Sequence, residues 1–274
     1  MKKECVIKGT GIHSGKPGQL NIKPAPADSG IQFLIVNQKI QANIHNVVNT
    51  LRCTTLGNES IEIATVEHFL AACAGLYIDN LLVELEGLEI PIMDGSSLAF
   101  ATELKEAGIK KQEKEKEVLQ IDKKLSLRIK DSFVVAMPAD EFSLTVVVDY
   151  NNPAIGFQMA QFDMEKDNFI EKLAPARTFG FKKEIEFLRH QNLALGGSLE
   201  NALVIDENEY INEPRFNNEV AMHKLLDLLG DLSLCGKDLR GHFFACRGSH
   251  ALHIAFIKMM LDKTRELISP QGGK

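Results

Sequence analysis

Lys110-Lys111-Gln112-Glu113-Lys114-Glu115-Lys116-Glu117 is a run of eight residues without one apolar side chain, in a chain otherwise punctuated every few positions by Val, Ile, Leu or Phe. Such a run belongs on the surface, either as a linker or as a solvated helix face laced with alternating charges. Taken as a linker, it divides the 274 residues into a first unit, 1–109, and a second, 118–274. Domains of roughly 100–200 residues are the norm, so the length fits that division.

Working outward, the first unit opens with short β-like runs at Glu4 to Lys8, Gln19 to Lys23 and Gly30 to Val36. Thr65 to Leu76 has helical character, with Thr65 as N-cap ahead of Val66, Phe69, Leu70 and Cys73. A buried strand at Asn80 to Leu85, a turn at Ile90 to Gly95 and a helix from Ser97 to Ala107 closed by Gly108 complete it. The second unit repeats this order. Strands are expected at Val118 to Ile121, Leu125 to Ile129, Phe133 to Met137 and Phe142 to Asp149. A helix from about Asn217 to Leu234, a strand at Gly241 to Cys246 and a helix from about His250 to Leu267 follow. Strands, then helix, strand, helix, twice over, predict an α+β fold built by structural duplication. If the two helical layers face each other, the first helix of each unit meets its counterpart. Residues 179–213, with a helix-like stretch at Lys182 to Gln191, a Gly196-Gly197-Ser198 turn and a strand at Ala202 to Ile205, read as an insertion without a first-unit equivalent.

Composition narrows the function. With 45% hydrophobic and 25% charged residues the chain is ordinary globular material. Thirty-one Lys and Arg against 37 Asp and Glu give a net charge of −6, which argues against nucleic acid or anionic membrane as a general partner. The apolar stretch Phe69 to Ile78 is far short of the roughly 20 residues of a membrane span. No apolar run follows Met1-Lys2-Lys3-Glu4, so a cytoplasmic protein is expected. Five cysteines, none in a C-x-x-C pair, read as reduced thiols.

The most informative polar pattern is His223-Lys224-Leu225-Leu226-Asp227-Leu228-Leu229-Gly230-Asp231. His223, Asp227 and Asp231 share one helical stripe, flanked by leucines. Two carboxylates in apolar surroundings need compensation, and a divalent metal would supply it; a weak His–Asp pair on an exposed face is the alternative. A catalytic zinc site needs three protein ligands, and His68 on the corresponding helix is the natural third. Glu67, about 100° round that helix, could serve as general base beside a water on the metal, or else as a residue compensating the helix dipole. His250 opens the last helix, where the dipole lowers its pKa and an aspartate such as Asp231 would raise it; capping is its alternative role. His13 sits in a glycine-flanked loop and could contact metal or substrate, and Cys53 is a near-site thiol or a buried small hydrophobe. His45, His190, His242 and His253 have no carboxylate partner in pattern and are assigned to surface or core.

Taken together, several ordered motifs closely resemble the UDP-3-O-acyl-N-acetylglucosamine deacetylase family, the zinc amidases of lipid A synthesis. They are Gly11-Ile12-His13-Ser14-Gly15, Thr65-Val66-Glu67-His68, Glu89-Ile90-Pro91-Ile92-Met93-Asp94-Gly95-Ser96, Ala176-Arg177-Thr178-Phe179-Gly180-Phe181, Gly196-Gly197-Ser198-Leu199, His223 to Leu232, and Ser249-His250-Ala251-Leu252. The resemblance implies two similar α/β sandwich domains with facing helical layers, each with a small insertion. It implies zinc on His68, His223 and Asp227, Glu67 as base, and His250, oriented by Asp231, as the acid for the leaving amine. Thr178 would stabilise the oxyanion, and Lys224 would serve the phosphates or acyl region. Tyr150 stands where an aromatic would stack on uracil, with a strand-end core residue as the alternative. Phe179, Leu193, Leu195, Gly197 and Ser198 would contribute to substrate binding, with the insertion forming a passage for a 3-hydroxyacyl chain. The implied partner is the small-molecule substrate, and the expected state is a monomer. A hydrolase of the same fold acting on another N-acyl sugar, or a non-catalytic metal binder, is the rival reading.

Overall fold

The computed structural model describes residues 1–268. In chain order its elements are β1 (Cys5–Thr10), β2 (Pro17–Pro24), β3 (Ile31–Ile35), β4 (Gln38–Gln41), a 3-10 turn at Ile44–Asn46, β5 (Val47–Asn49), β6 (Thr55–Gly57), β7 (Glu62–Ile63), α1 (Glu67–Gly75), β8 (Leu81–Glu86) and α2 (Leu98–Glu106). Next come β9 (Val118–Gln120), β10 (Leu125–Ile129), β11 (Ser132–Met137), β12 (Phe142–Asp149), β13 (Phe157–Asp163), α3 (Phe169–Lys172), β14 (Phe179–Phe181), α4 (Lys182–His190), β15 (Leu203–Ile205), α5 (Glu219–Ser233), β16 (Asp238–Cys246) and α6 (His250–Ile268).

Alternation builds the sheets. Leu20 and Ile22 of β2, Leu81, Val83 and Leu85 of β8, and Leu239, Phe243 and Ala245 of β16 all turn the same way, inward. The first sheet has the order β1-β2-β8-β3-β4 and the second β10-β11-β16-β12-β13, with β9 added on β16. Along both five-strand paths every neighbouring pair is antiparallel except β3–β8 in the first and β12–β16 in the second, which are parallel, and the added β9 is also parallel to β16. The two sheets thus share strand order and direction, and in each the parallel return is made through a helix, α1 or α5. Duplication, legible only as a repeated order in the sequence, is explicit in the topology.

The helices lie between the sheets. Phe69 of α1 packs edge-on against Phe33 of β3 at 6.0 Å and Phe100 of α2 at 5.7 Å, holding the first helical layer to its sheet. On the other side α5 packs on β12 and β13, and α6 on β10 and β11. The two layers meet where α1 crosses α5. That crossing explains why α5 is buried on nearly every side, from Val220 to Leu232. It also explains Gly230, where a Cβ would run into the carbonyl oxygen of Glu67 in α1. Gly230→Ala should therefore cost about 1–3 kcal/mol by overpacking against backbone. A thermal unfolding midpoint unchanged from wild type would show that the crossing yields freely.

Several expectations are corrected. Thr65 does not cap α1: the helix starts from Val66, already in helical conformation, with no side-chain cap. Thr65 instead has a left-handed backbone, φ 62°, and its hydroxyl donates to Glu89 Oε1 at 3.2 Å. Of the two readings of the charged run 110–117, linker or helix face, the helix is the one corrected: the run is irregular chain. β4, β13, α3 and the small sheet β5-β6-β7 were not foreseen. That small sheet leaves the first unit between β4 and α1, the same point at which 169–205 leaves the second between β13 and α5, so the insertion does have a first-unit counterpart. The stretch 269–274 of the expected second unit lies outside the described residues. No helix among the described residues is long and apolar enough to cross a membrane.

Candidate active site

The α1–α5 crossing brings together side chains far apart in sequence. His68 lies in the first turn of α1, and His223 and Asp227 are one turn apart on α5. Their ligand-capable atoms all fall within 4.8 Å of one another, and all three residues are buried. Asp227 Oδ1 faces His68 Nε2 at 3.7 Å and His223 Nε2 at 3.3 Å, yet it accepts no hydrogen bond. His223 Nδ1 donates to the Ala176 carbonyl at 3.2 Å, which leaves Nε2 free to act as a ligand. An orphaned buried carboxylate oxygen between two imidazoles is costly as it stands and fits a divalent cation. Burial, with help from His223, drives His68 down to about 3 and so keeps its ring neutral, as a ligand must be. Burial would raise Asp227, but His223, Lys224 and His250 hold it well below the usual carboxylate range.

Two further groups flank this trio. Glu67 precedes His68, and its Oε2 accepts the Thr54 backbone N–H at 3.0 Å. Its Oε1 lies 3.8 Å from His250 Nε2, which is itself 3.9 Å from Asp227 Oδ2. Burial drives the Glu67 carboxyl up to about 7, with His250 pulling it down and Asp227 and Asp231 adding to the rise. His250 is the reverse case: burial opposes its charge, yet Asp231, bonded to Nδ1 at 2.8 Å, raises it to about 9. One buried residue is thus tuned toward a base near neutrality and its neighbour toward a standing acid.

Asp231 owes its charge to three donors. Thr54 Oγ1 donates to Oδ1 at 2.6 Å, while His250 Nδ1 and His253 Nδ1 both donate to Oδ2 at 2.8 Å. Burial would raise its pKa, but these bonds and charges hold it down to about 2. Asp231, His250 and His253 also cluster closely enough to suggest a metal, but both Asp231 oxygens already accept hydrogen bonds, two of them from the imidazoles themselves, so this trio is an orienting network. His253 was assigned to surface or core; it is buried, with Asp231 as partner. Thr54, fully buried, was not singled out at all, although its hydroxyl serves Asp231 and its N–H serves Glu67.

Around the cluster the other candidates take different places. Lys224 Nζ donates to Asp227 Oδ2 at 2.8 Å and sits 5.6 Å above the Phe179 ring. Burial works against its charge, and Asp227 more than restores it. Phe179 meets His223 edge-on at 6.1 Å and Tyr150 at 6.0 Å, with Phe181 5.7 Å from Tyr150, so an aromatic wall adjoins the cluster. Thr178 is half-buried on the same segment, its N–H donating to the Gly95 carbonyl at 2.7 Å. That segment is held to α5 by Arg177, whose Nε and Nη2 grip Glu219 at 2.9 and 3.1 Å. Leu193, Leu195, Gly197 and Ser198 lie on the loop after α4, which docks on residues 11–15 through Leu195 N–H to His13 O, 3.1 Å, and Gly196 N–H to Ile12 O, 3.0 Å. The Ser198 hydroxyl accepts the Glu200 N–H at 3.2 Å and so supports its own turn. Cys53 is a buried thiol, pushed up to about 12 by burial, and all five cysteines are free.

The family described as UDP-3-O-acyl N-acetylglycosamine deacetylase matches residues 1–262. Among curated proteins, the UDP-3-O-acyl-N-acetylglucosamine deacetylase of Oleidesulfovibrio alaskensis is 41% identical over 268 residues, which are 96% of this chain and 88% of that protein. The enzyme of the same name from Alcanivorax borkumensis is 42% identical over 261 residues, covering 92% and 86%. That of Syntrophus aciditrophicus is 38% identical over 269 residues, covering 96% and 85%.

Proposed function

The chain belongs to the UDP-3-O-acyl N-acetylglycosamine deacetylase family, and from that premise we propose that it removes acetate from UDP-3-O-(3-hydroxyacyl)-N-acetylglucosamine in lipid A biosynthesis, with Glu67 as base and His250 as acid. The observation that carries the assignment of roles is the pairing of Glu67 and His250, 3.8 Å apart, against the His68, His223 and Asp227 cluster. A mere metal binder needs neither.

His68, His223 and Asp227 would hold a zinc ion. When bound, zinc supplies Lewis acidity, which polarises the amide carbonyl and eases ionisation of water. Glu67, its carboxylate fixed by the Thr54 N–H, takes a proton from the attacking water. Attack on the acetyl carbonyl puts negative charge on oxygen, toward which Thr178 would donate. Collapse breaks the C–N bond, and His250, held protonated by Asp231, gives its Nε2 proton to the departing nitrogen, so that acetate and a free amine result. Lys224 stays charged beside Asp227 and offers its remaining donors to substrate. Tyr150 and Phe179 supply aromatic surface for uracil and for the chain, and Leu193, Leu195, Gly197 and Ser198 lie on the loop that would border the chain. The same reading has the protein act as a monomer in the cytoplasm, its domains meeting at 110–117.

Acetate release from the acylated nucleotide sugar, compared with UDP-N-acetylglucosamine lacking the chain, tests the substrate. Burying only four methylenes at ~0.8 kcal/mol each contributes roughly 3 kcal/mol, so kcat/KM should favour the acylated substrate by about 100-fold or more. Equal values would point to a different N-acyl substrate.

A further inference from the structure

Glu89 lies just beyond β8, 6% exposed, and none of its partners is a cation. Its Oε1 accepts the His13 N–H and its Oε2 the Ser14 N–H, both at 2.8 Å, while the Thr65 hydroxyl adds a third bond to Oε1 at 3.2 Å. A carboxylate is expensive to bury, so three donors drawn from two distant segments mark a tie rather than filler. The fit is tight: a Cβ on Gly11 would run into Glu89 Oε2.

What Glu89 ties is informative. Loop 11–15, closed on itself by Gly15 N–H to Gly11 O at 3.0 Å, carries the two carbonyls, Ile12 and His13, on which Gly196 and Leu195 dock. A Cβ on Gly196 would run into the Gly11 carbonyl oxygen, so the loop after α4 rests directly on the pinned loop. On its other side Glu89 grips Thr65, a β-branched residue held at φ 62°, a backbone conformation that needs outside support. Thr65 leads straight into Glu67 and His68. One carboxylate therefore supports both the segment carrying Leu193 and Leu195 and the entry to the helix carrying the base.

We infer that Glu89 is a positioning residue for acyl-chain selectivity, fixing the height of the 193–198 loop relative to the catalytic helix by pinning loop 11–15 beneath it. This rests on the deacetylase reading and extends it to a residue that touches no substrate.

Glu89→Gln tests it. The amide keeps Oε1 for His13 and Thr65 but turns an NH2 toward the Ser14 N–H, donor against donor, which frees one side of the loop. KM for the acylated substrate should rise about tenfold with kcat falling less than about threefold, while KM for UDP-N-acetylglucosamine moves less than about twofold. Gly196→Ala breaks the same contact from the opposite side with the carboxylate intact and should give the same split. A purely structural role would lower activity on both substrates equally, and that result in both variants overturns the inference. A wild-type preference for the acylated substrate that is undiminished in both variants also overturns it, with the deacetylase reading untouched. A wild type with no such preference overturns the deacetylase reading and this inference with it.

Discussion

Glu67→Ala should lower kcat by roughly 10²- to 10⁴-fold, the range for loss of a positioned general base, and leave about one zinc per chain in place. The two halves of that expectation come from different contacts. Zinc retention follows because Glu67 is outside the trio of His68, His223 and Asp227, its carboxylate turned to Thr54 and His250 instead. Loss of turnover follows because burial has raised this carboxyl to about 7, so it can both accept a proton from water and give it up near neutrality. Glu67→Gln separates the charge from the space: it fills the same volume, keeps an acceptor for the Thr54 N–H and should be nearly as inactive. Steady-state kinetics with metal analysis on the same preparations reads both. Activity within about tenfold of wild type would remove Glu67 from the role of base.

Asp227→Ala should do the opposite, emptying the site of metal and abolishing activity together. Asp227 brings the negative charge of the trio, and its Oδ1 is the atom left without a protein partner. Losing an outer-shell partner alone costs a metal site about 10–100-fold in affinity, so losing a direct ligand should cost more. The substitution also strips Lys224 of its 2.8 Å counter-ion and weakens the field on His250. Asp227→Asn keeps the shape and an oxygen, and should bind metal more weakly than wild type but better than the alanine variant. Tight zinc retained after Asp227→Ala would rule out the ligand set.

Legibility in the sequence followed the range of the interactions. The His223–Asp227–Asp231 stripe could be read because its meaning is local: helix spacing puts the three on one face and the flanking leucines bury it. The long strands β2, β8, β12 and β16 could be read for the same reason, each alternating or continuously apolar. β4, Gln38-Lys39-Ile40-Gln41, could not, since it is mostly polar and becomes a strand by pairing with β3. Thr65 looked like a cap because threonine before an apolar run usually is one; its tie to Glu89, 24 positions away, makes it something else. Thr54 and His253 carry no signature at all. Both matter through Asp231, 177 and 22 positions away, and only the docking of the two helical layers supplies that contact.

The two excursions, β5 to β7 and α3 to β15, depart from equivalent corners of the two sheets and re-enter ahead of equivalent helices. Either can change length cheaply, because doubling a surface loop costs only about 0.6 kcal/mol in closure entropy while the sheet strands and the helices α1 and α5 stay where they are. Chemistry and border are thereby separable in an engineered chain: an insertion or deletion at either corner changes what surrounds the cluster and leaves the α1–α5 crossing that gathers His68, His223 and Asp227 in place.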